Sequence, residues 1–253
     1  MRGLARGSER RRRRNTGKGE APPPTAMQLL LNELNLYGTC VVFAPFWDSR
    51  RNEASGYTYD VNGTSEYLAL KNNAVFDGTD KAITLDGTDD YAITNAPHNS
   101  TGIVGLYVAM LIERSGGETH NIGYWSTTGA TNRMWWIGYS GHNDFGIYNS
   151  AGTLVPAATA DTAADVLIQG RWNSTDAITR ANETDCEAAA VNSIKAADSK
   201  LLLSHPTTNE FVGKCHLYVA FCGMSIANAD AIWARRAAIY ALVKAAFPGV
   251  GLP

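Results

Sequence analysis

The feature that most constrains the fold is a repeated Asp-Gly-Thr-Asp segment at residues 77–80 and 86–89. Apolar and polar residues alternate after each copy, at 82–85 and again at 91–94. Because glycine tolerates positive φ, and because an aspartate side chain can bond the backbone that follows it, an Asp-Gly pair closes tight hairpins. The segment therefore predicts short antiparallel strands joined by two hairpin turns.

The rest of the chain extends this pattern. Short apolar stretches are separated by clusters of Gly, Asn, Asp and Ser, with no helical period between them. The predicted strands are 40–46, 102–112, 121–126, 133–139, 145–148, 165–172, 177–180, 184–189, 200–204 and 211–222. Residues 102–112 are apolar on both faces, which is typical of a central strand that is covered above and below. This succession of strands predicts an all-β sandwich.

Helices are predicted only at the two ends. Residues 27–37 form a short helix, with Thr25 as its N-cap and Gly38 as its stop. A longer helix begins at Asn228, as N-cap, and stops before Pro248. The basic residues of this helix are Arg235, Arg236 and Lys244. They indicate either a solvated face or a surface that binds a partner.

Positive charge is concentrated at the N-terminus. Residues 1–20 hold eight basic and two acidic residues, a balance of +6, while the whole chain is at −2, so residues 21–253 carry −8. An acidic body is not typical of a nucleic-acid-binding surface. The composition of residues 1–24 predicts a basic arm that is disordered on its own. The arginine run in this arm is the one candidate for contact with nucleic acid. The run is Arg10, Arg11, Arg12, Arg13 and Arg14. A solvated charge run and extra codons before a start at Met27 are the alternatives.

The apolar segments and the cysteines indicate the cellular compartment in which the protein is expected. No apolar run follows the arginines and none is long enough for a bilayer, so we expect neither a secretory signal nor a membrane span. Cys215 and Cys222 are seven residues apart, which predicts that they lie on opposite faces of one strand. Reduced, partly buried thiols are therefore expected, as in a reducing compartment.

Several segments taken together resemble the laminin-G-like, concanavalin A-like jelly-roll domains. The residues that carry the resemblance are 41–46 with Asp48 (first strand), 59–63 (D-x-x-G-N-G connection), 85–91 (F-D-G-x-D-D-Y), 211–219 (F-x-G-x-I-x-x-V) and 225–230 (start of the closing helix). The resemblance extends over about residues 39–247. It implies a jelly-roll sandwich of two antiparallel sheets. We expect an arm at 1–24, a short helix at 25–38, and a jelly-roll domain with a closing C-terminal helix at 39–253.

The resemblance also implies a context. Free-standing domains of this kind without a signal peptide resemble phage virion proteins, such as capsid decoration proteins and tail-fibre modules. We therefore expect a non-enzymatic structural or binding module on a virion surface, present as a homo-oligomer or bound to other virion proteins. The alternatives are a glycan-binding, lectin-like module and a β-glucanase-like hydrolase, since one fold hosts many activities.

Three carboxylates offer the hydrolase alternative. Glu183, Asp185 and Glu187 alternate along a predicted strand and so share one face. They resemble the E-x-D-x-E motif of β-glucanases with the same jelly roll, in which the outer pair act as nucleophile and general acid. Asn182 lies where a hairpin turn is expected, which favours a solvated acidic face on an edge strand. No catalytic residue is therefore predicted.

The acidic turns offer a calcium site. Calcium takes several oxygen ligands, and five aspartates crowd the two repeats. They are Asp77, Asp80, Asp86, Asp89 and Asp90. The same residues are explained by turn chemistry, because aspartate bonds its own following backbone. Calcium is therefore a possible cofactor and turn formation the main prediction.

Flat aromatic residues are the candidates for sugar binding. They are Trp125, Trp135, Trp136, Tyr139, Tyr148 and Trp172, with His142 and Asn143 in a neighbouring loop. Adjacent Trp135 and Trp136 must point to opposite faces of their strand, so at most one lies on a given surface. Packing in the core of the sandwich is the competing interpretation of every aromatic residue in this set.

Overall fold

The structure is a computed structural model. It describes residues 25–38, 42–45, 51–52, 58–60, 67–72, 74–77, 82–95, 97–99, 101–115, 120–126, 133–139, 143–159, 162–186, 188–195, 198–204 and 211–253. In chain order the elements are α1 (Ala26–Asn35), β1 (Val42–Pro45), β2 (Arg51–Asn52), β3 (Thr58–Asp60), β4 (Tyr67–Lys71), β5 (Val75–Asp77), β6 (Ala82–Asp86), β7 (Tyr91–Thr94), β8 (His98–Asn99), β9 (Leu106–Arg114), β10 (His120–Ser126), β11 (Arg133–Tyr139), β12 (Asn143–Tyr148), β13 (Leu154–Ala158), β14 (Asp165–Trp172), β15 (Asp176–Ala181), β16 (Thr184–Asp185), β17 (Ala189–Ala190), β18 (Asp198–Leu203), β19 (Val212–Cys222), α2 (Ile226–Ala234) and α3 (Arg236–Ala246).

The strands form two sheets in which all the described pairs are antiparallel. Sheet 1 has the order β16-β15-β14-β9-β19-β6-β5, with β1 beside β19 and β17 beside β15. Sheet 2 has the order β13-β12-β11-β10-β18-β7-β4-β3-β2, with β8 beside β18. The predicted all-β sandwich is confirmed, and strands β11 and β14 have the bounds that the sequence predicts.

The main core lies between the two sheets. Sheet 1 contributes alternate residues of β9 and β14, and sheet 2 contributes those of β11, β12 and β18. Trp135 is the central side chain, since its ring lies 6.4 Å from the rings of both Phe145 and Tyr218. Burying large aromatic side chains contributes most of the apolar area in such a core.

A second apolar cluster covers the outer face of sheet 1. Tyr107, Ala109 and Leu111 of β9 face the three helices, which bury Leu30 and Leu34 of α1 against the same cluster. The alternate residues of β9 belong to the core between the sheets. The prediction that this strand is covered on both faces is therefore confirmed.

The second Asp-Gly copy is a corner, not a hairpin. The strands on either side of the first copy, β5 and β6, pair with each other, as predicted. By contrast, β6 lies in sheet 1 and β7 in sheet 2, so residues 87–90 carry the chain from one sheet to the other. Gly87 has φ of +79°, which glycine adopts without a steric penalty. The sequence correctly predicted a turn at residues 86–89. It wrongly predicted that the strands on either side of this turn pair with each other.

A β-bulge in β19 overturns the prediction for two cysteines. The pairing of β19 with β9 shifts register between Cys215 and Leu217, so His216 is the extra residue. An extra residue reverses the alternation of side chains beyond it. Cys215 and Cys222 consequently both face the core between the sheets, not opposite faces.

The helices begin and end at identifiable caps. Thr25 and Gln28 form a reciprocal capping box at α1, and Gly38 has φ of +121° after its end. The C-terminal helical segment differs from its prediction, since it begins one turn earlier and is broken in two. Ser225, not Asn228, is the N-cap of α2, because its side chain accepts the Asn228 N–H at 3.1 Å. Arg235 leaves helical geometry with ψ of 2°, so α3 starts a new axis.

The basic residues of these helices bind the rest of the chain. Arg235 donates two hydrogen bonds to Glu33 of α1, from Nε at 2.8 Å and from Nη2 at 3.4 Å. The neighbouring Arg236 donates two to Asp185, from Nε at 2.9 Å and from Nη2 at 2.8 Å. The break between α2 and α3 lets adjacent arginines reach different elements. Among the helices that the structure describes, none is long and apolar enough to cross a membrane.

Candidate functional site

A row of apolar and aromatic side chains lies on the outer face of sheet 2. Backbone pairing aligns Ala69, Ile93, Leu202, position 124, Trp136, Gly146 and Pro156 across neighbouring strands. Trp136 and Leu202 form a buried cluster, against which Tyr91, Ile93, Tyr148 and Leu154 pack. We call Tyr91, Ile93, Trp136, Tyr148, Leu154 and Leu202 the aromatic face. Unlike the outer face of sheet 1, it receives none of the three described helices.

Two glycines make room for the side chains of the aromatic face. A Cβ placed on Gly138 would lie only 1.8 Å from Cζ2 of Trp136, so the indole covers this glycine. Gly146 stands opposite Trp136 on β12, and a Cβ there would lie 2.6 Å from Cδ1 of Leu154. The indole is 8% exposed, while Tyr148 on the neighbouring strand and Tyr91, three strands away on β7, are half-buried.

Charges of both signs lie beside the aromatic face. Lys71 is exposed and pairs with Tyr91 across β4 and β7. Lys200 is partly exposed and lies two residues before Leu202, hence on the same face of β18. Asp144 shares this face on β12 but is only 2% exposed. Asp86 is exposed and Asp89 is partly exposed, and both lie at the corner just before Tyr91, so carboxylates as well as lysines are accessible beside this face.

The structure divides the predicted sugar-binding aromatics between the core and the surface. Trp135 and Trp136 point to opposite faces, as predicted, with Trp136 on the aromatic face and Trp135 in the core. Trp172 is 1% exposed, and its Nε1 donates to the Val191 carbonyl oxygen at 2.8 Å. Trp135 and Trp172 thus have no surface with which to contact a glycan, and the prediction is corrected for them. The side chain of Trp125 and the whole of His142 lie outside the described residues.

Tyr139 and Asn143 close one end of the sandwich. The guanidinium of Arg114 lies 3.5 Å from the centre of the Tyr139 ring and donates to the carbonyl oxygens of Thr162 and Ala163. Asn143 is fully buried, and its Nδ2 donates to the Ala163 carbonyl oxygen at 3.3 Å. Asn143 holds residue 163 directly, and Tyr139 packs on the arginine that holds residues 162–163. Burial of Asn143 corrects its predicted role as a surface contact for a ligand, whereas Tyr139 is half-buried.

The acidic hairpin has a structural role at Asp185. Asn182 occupies the predicted turn with φ of +51°, and β16 is the edge strand of sheet 1. Asp185 accepts hydrogen bonds from Arg236 and from Arg180, and the Arg236 guanidinium holds the pKa of this carboxyl below its ordinary value. Glu183 belongs to the exposed turn, and Glu187 lies outside the described residues. These contacts favour an ion-paired structural carboxylate over a catalytic one.

Three aspartates converge at the corner between β6 and β7. Carboxylate oxygens of Asp86, Asp89 and Asp90 lie within 4.8 Å of one another, and these are the described residues that could hold calcium. Two of them also make the turn, because Asp86 Oδ1 accepts the Thr88 N–H at 2.8 Å and Asp90 Oδ2 accepts the Asp86 N–H at 2.9 Å. Asp77 lies on β5, outside this group. Turn formation therefore accounts for most of the acidic motif.

The aromatic face contains residues that the sequence interpretation missed. Tyr91, Ile93, Leu154 and Leu202 were not predicted as site residues, and neither were the two glycines beneath them. Alternation in β7 contained the signal for Tyr91 and Ile93, because their neighbours Ala92 and Thr94 are buried. The arginine run at residues 10–14, proposed to contact nucleic acid, lies outside the described residues.

Comparisons with known proteins agree with this architecture. No family model matches the sequence, and neither does the sequence of any curated protein. The binding domain of botulinum neurotoxin DC, in complex with SialylT, is similar with a TM-score of 0.54 at 9% identity, over 78% of this chain and 51% of that one. A Trypanosoma rangeli sialidase in complex with the inhibitor DANA is similar with a TM-score of 0.51 at 8% identity, over 84% of this chain and 39% of that one. The chain thus spans about half of the first and two fifths of the second. At this identity the likeness concerns the fold alone, and the chain has the fold of a jelly-roll sandwich with two antiparallel sheets.

Proposed function

We propose that the protein is a non-enzymatic carbohydrate-binding module that holds a glycan on the aromatic face. The observation that carries the proposal is the placement of the Trp136 indole over Gly138, with half-buried Tyr148 on the neighbouring strand β12 and half-buried Tyr91 on β7, further along the same face of sheet 2. Aromatic rings offer flat apolar surfaces to the C–H faces of sugar rings, and the tyrosine hydroxyls can bond sugar hydroxyls. A shallow face of this kind suits a glycan better than it suits a small apolar ligand, which needs a deep pocket.

The fold neighbours support this proposal. The neurotoxin domain is named for its binding role and was solved in complex with SialylT, and the sialidase was solved with a small inhibitor. A non-enzymatic role is favoured by the position of the candidate catalytic carboxylates. Glu183 and Asp185 lie at the edge of sheet 1, and Asp185 is bound by an arginine of the helical layer, whereas the aromatic face belongs to sheet 2.

Binding to a panel of immobilised glycans tests the proposal. We expect one glycan class to be retained and its dissociation constant to rise about tenfold or more in Tyr148→Ala, because truncating an aromatic anchor removes its stacking surface. Tyr37→Ala is the matched control, since Tyr37 is a half-buried tyrosine at the end of α1 among the helices. Retention of no glycan, or equal losses in both variants, would contradict the proposal.

The charge distribution supports a second proposal, which concerns context. A +6 segment at residues 1–20 precedes a body of −8, and this separation is compatible with a virion surface protein whose basic arm attaches to an assembly while its body faces outward. The protein would then be a decoration or tail-fibre module that presents a sugar-binding face. Co-sedimentation with purified phage particles, compared between the full chain and a chain that lacks residues 1–24, tests it; absence of the full chain from the particles would contradict it.

A further inference from the structure

We infer that the break between α2 and α3 is a two-state hinge, which polar side chains keep in its broken state, and that without them residues 226–246 form one continuous helix. The reason is a mismatch between sequence and structure. Residues 231–246 contain no proline, glycine, serine, asparagine or aspartate and are rich in alanine, the residue with the highest helix propensity. Sharp kinks otherwise arise where a side chain enters the helical hydrogen bonding. The break at Arg235 therefore depends on contacts made by side chains.

Hydrogen bonds at the break depart from the regular helical pattern. The Arg235 N–H donates to the Ile232 carbonyl oxygen at 3.0 Å, three residues back rather than four. A short 3₁₀ step of this kind within a helix often marks a hinge. The Trp233 carbonyl oxygen, which in a regular helix accepts from the N–H of residue 237, accepts here from Nη1 of Arg236 at 3.2 Å. A side chain thus binds a carbonyl that a continuous helix uses in its backbone hydrogen bonding.

A buried amide of sheet 1 contacts the first residue of α3. Gln169 of β14 is fully buried, and its Nε2 donates to the Arg236 carbonyl oxygen at 3.2 Å. Its Oε1 accepts the hydroxyl of Tyr107 on β9 at 2.7 Å, which fixes the orientation of the amide. Tyr107 is fully buried as well and belongs to the second apolar cluster. Because an unbonded polar group is costly to bury, this pair favours the position of α3 in which Gln169 has its acceptor.

The side chain of Arg236 connects the break to the edge of sheet 1. Its guanidinium donates two hydrogen bonds to Asp185 of β16, in addition to the bond from Nη1 to the Trp233 carbonyl oxygen. In a continuous helix, residues 235 and 236 would project about 100° apart around a single axis, whereas the axis here changes between them. The two states therefore differ in the direction of Arg236 relative to Arg235. The broken state gains the contacts with Gln169 and Asp185, and the continuous state gains regular backbone hydrogen bonds.

Backbone chemical shifts of the isotope-labelled full chain test the inference, because the Cα shift of Arg235 distinguishes helical from non-helical ψ. Tyr107→Phe with Gln169→Met replaces both members of the polar pair by apolar side chains of similar shape, a change that is close to neutral for stability. Arg236→Met removes the guanidinium from the Trp233 carbonyl oxygen without changing helix propensity. We expect the Arg235 Cα shift to move toward the helical value in each of these variants, and to reach it when all three substitutions are combined.

Arg180→Met is the matched control, since it removes the other arginine that binds Asp185 and leaves the break untouched. The Arg235 shift in this control should equal that of wild type, and an equal movement there would overturn the inference. If the combined variant keeps the non-helical Arg235 shift while its sheets remain folded, the break is intrinsic to residues 226–246 and the inference is wrong. If the combined variant does not fold, Arg236→Met decides alone because that side chain is partly exposed, and a wild-type Arg235 shift in it overturns the inference.

Discussion

At the scale of single residues, the position of Trp136 depends on a missing side chain at Gly138. In Gly138→Ala the new methyl group would lie 1.8 Å from the indole Cζ2, so the ring must lift from the sheet. Overpacking of this kind costs about 1–3 kcal/mol in the free energy of unfolding. We expect denaturant unfolding to show this loss, with a red-shifted tryptophan emission and weakened glycan binding. Gly249→Ala is the control, because nothing lies within 4 Å of its Cβ position; equal stability of the two variants would refute this account.

Residue-scale features were predictable where they depend on near neighbours in the chain. Thr25 caps α1 as predicted, and Trp135 and Trp136 take opposite faces because alternation requires it. Which of the two tryptophans points outward depends on the pairing register of the strand, and the local sequence pattern does not determine that register. The bulge at His216 is a stronger case, since one extra residue reverses the alternation and moves Cys222 to the face of Cys215.

At the scale of elements, strands were predictable and their partners were not. The Asp-Gly motif reads alike at its two copies, yet the strands around the first pair with each other and those around the second lie in different sheets. A turn determines the local direction of the chain, whereas pairing is determined by distant strands: β6 pairs with β19 and β7 with β18. The end helix was predicted as one element, but it is broken at Arg235, and the two adjacent arginines bind distant partners, Glu33 and Asp185, that the local pattern does not contain.

The ion pair between α1 and the C-terminal helices predicts a pH dependence. Hydrogen bonds from Arg235 hold the pKa of Glu33 below its ordinary value, against the opposing effect of burial. A carboxyl whose pKa is lower in the folded state stabilises that state above its unfolded pKa of about 4.3, and the stabilisation is lost as pH falls through the folded pKa. Glu33→Gln should therefore lower the melting temperature by about 1–3 °C at neutral pH, and the difference from wild type should vanish as the pH falls below the folded-state pKa of Glu33. Glu183→Gln, in an exposed turn, is the control and should have the wild-type melting temperature at neutral pH. A difference for Glu33→Gln that grows as pH falls would contradict the sign.

At the scale of the whole molecule, the helices are part of the fold. The apolar faces of the helices at the two ends of the chain need a cover. Sheet 1 supplies that cover within the chain, since Leu30, Leu34, Ile239 and Val243 pack on residues of β9 and β19. Apolar periodicity predicted the faces of these helices, but it does not tell whether the same chain or a second copy buries them. The aromatic face, which we propose as the ligand surface, lies on the opposite side of the sandwich.

Burial of α1 in the second apolar cluster predicts that the helical layer and the sandwich unfold together. Leu34 is 1% exposed, and Leu34→Ala should lower the free energy of unfolding by about 2–4 kcal/mol because it removes buried methyl groups and leaves a cavity. Leu36 is the C-cap of α1 and is 72% exposed, so Leu36→Ala should change stability by less than about 0.5 kcal/mol. Far-ultraviolet circular dichroism and tryptophan fluorescence should report one coincident transition for both variants. If Leu34→Ala instead shows an early loss of helix signal followed by unchanged unfolding of the sheets, α1 is an independent appendage, and the outer face of sheet 1 is available to another occupant.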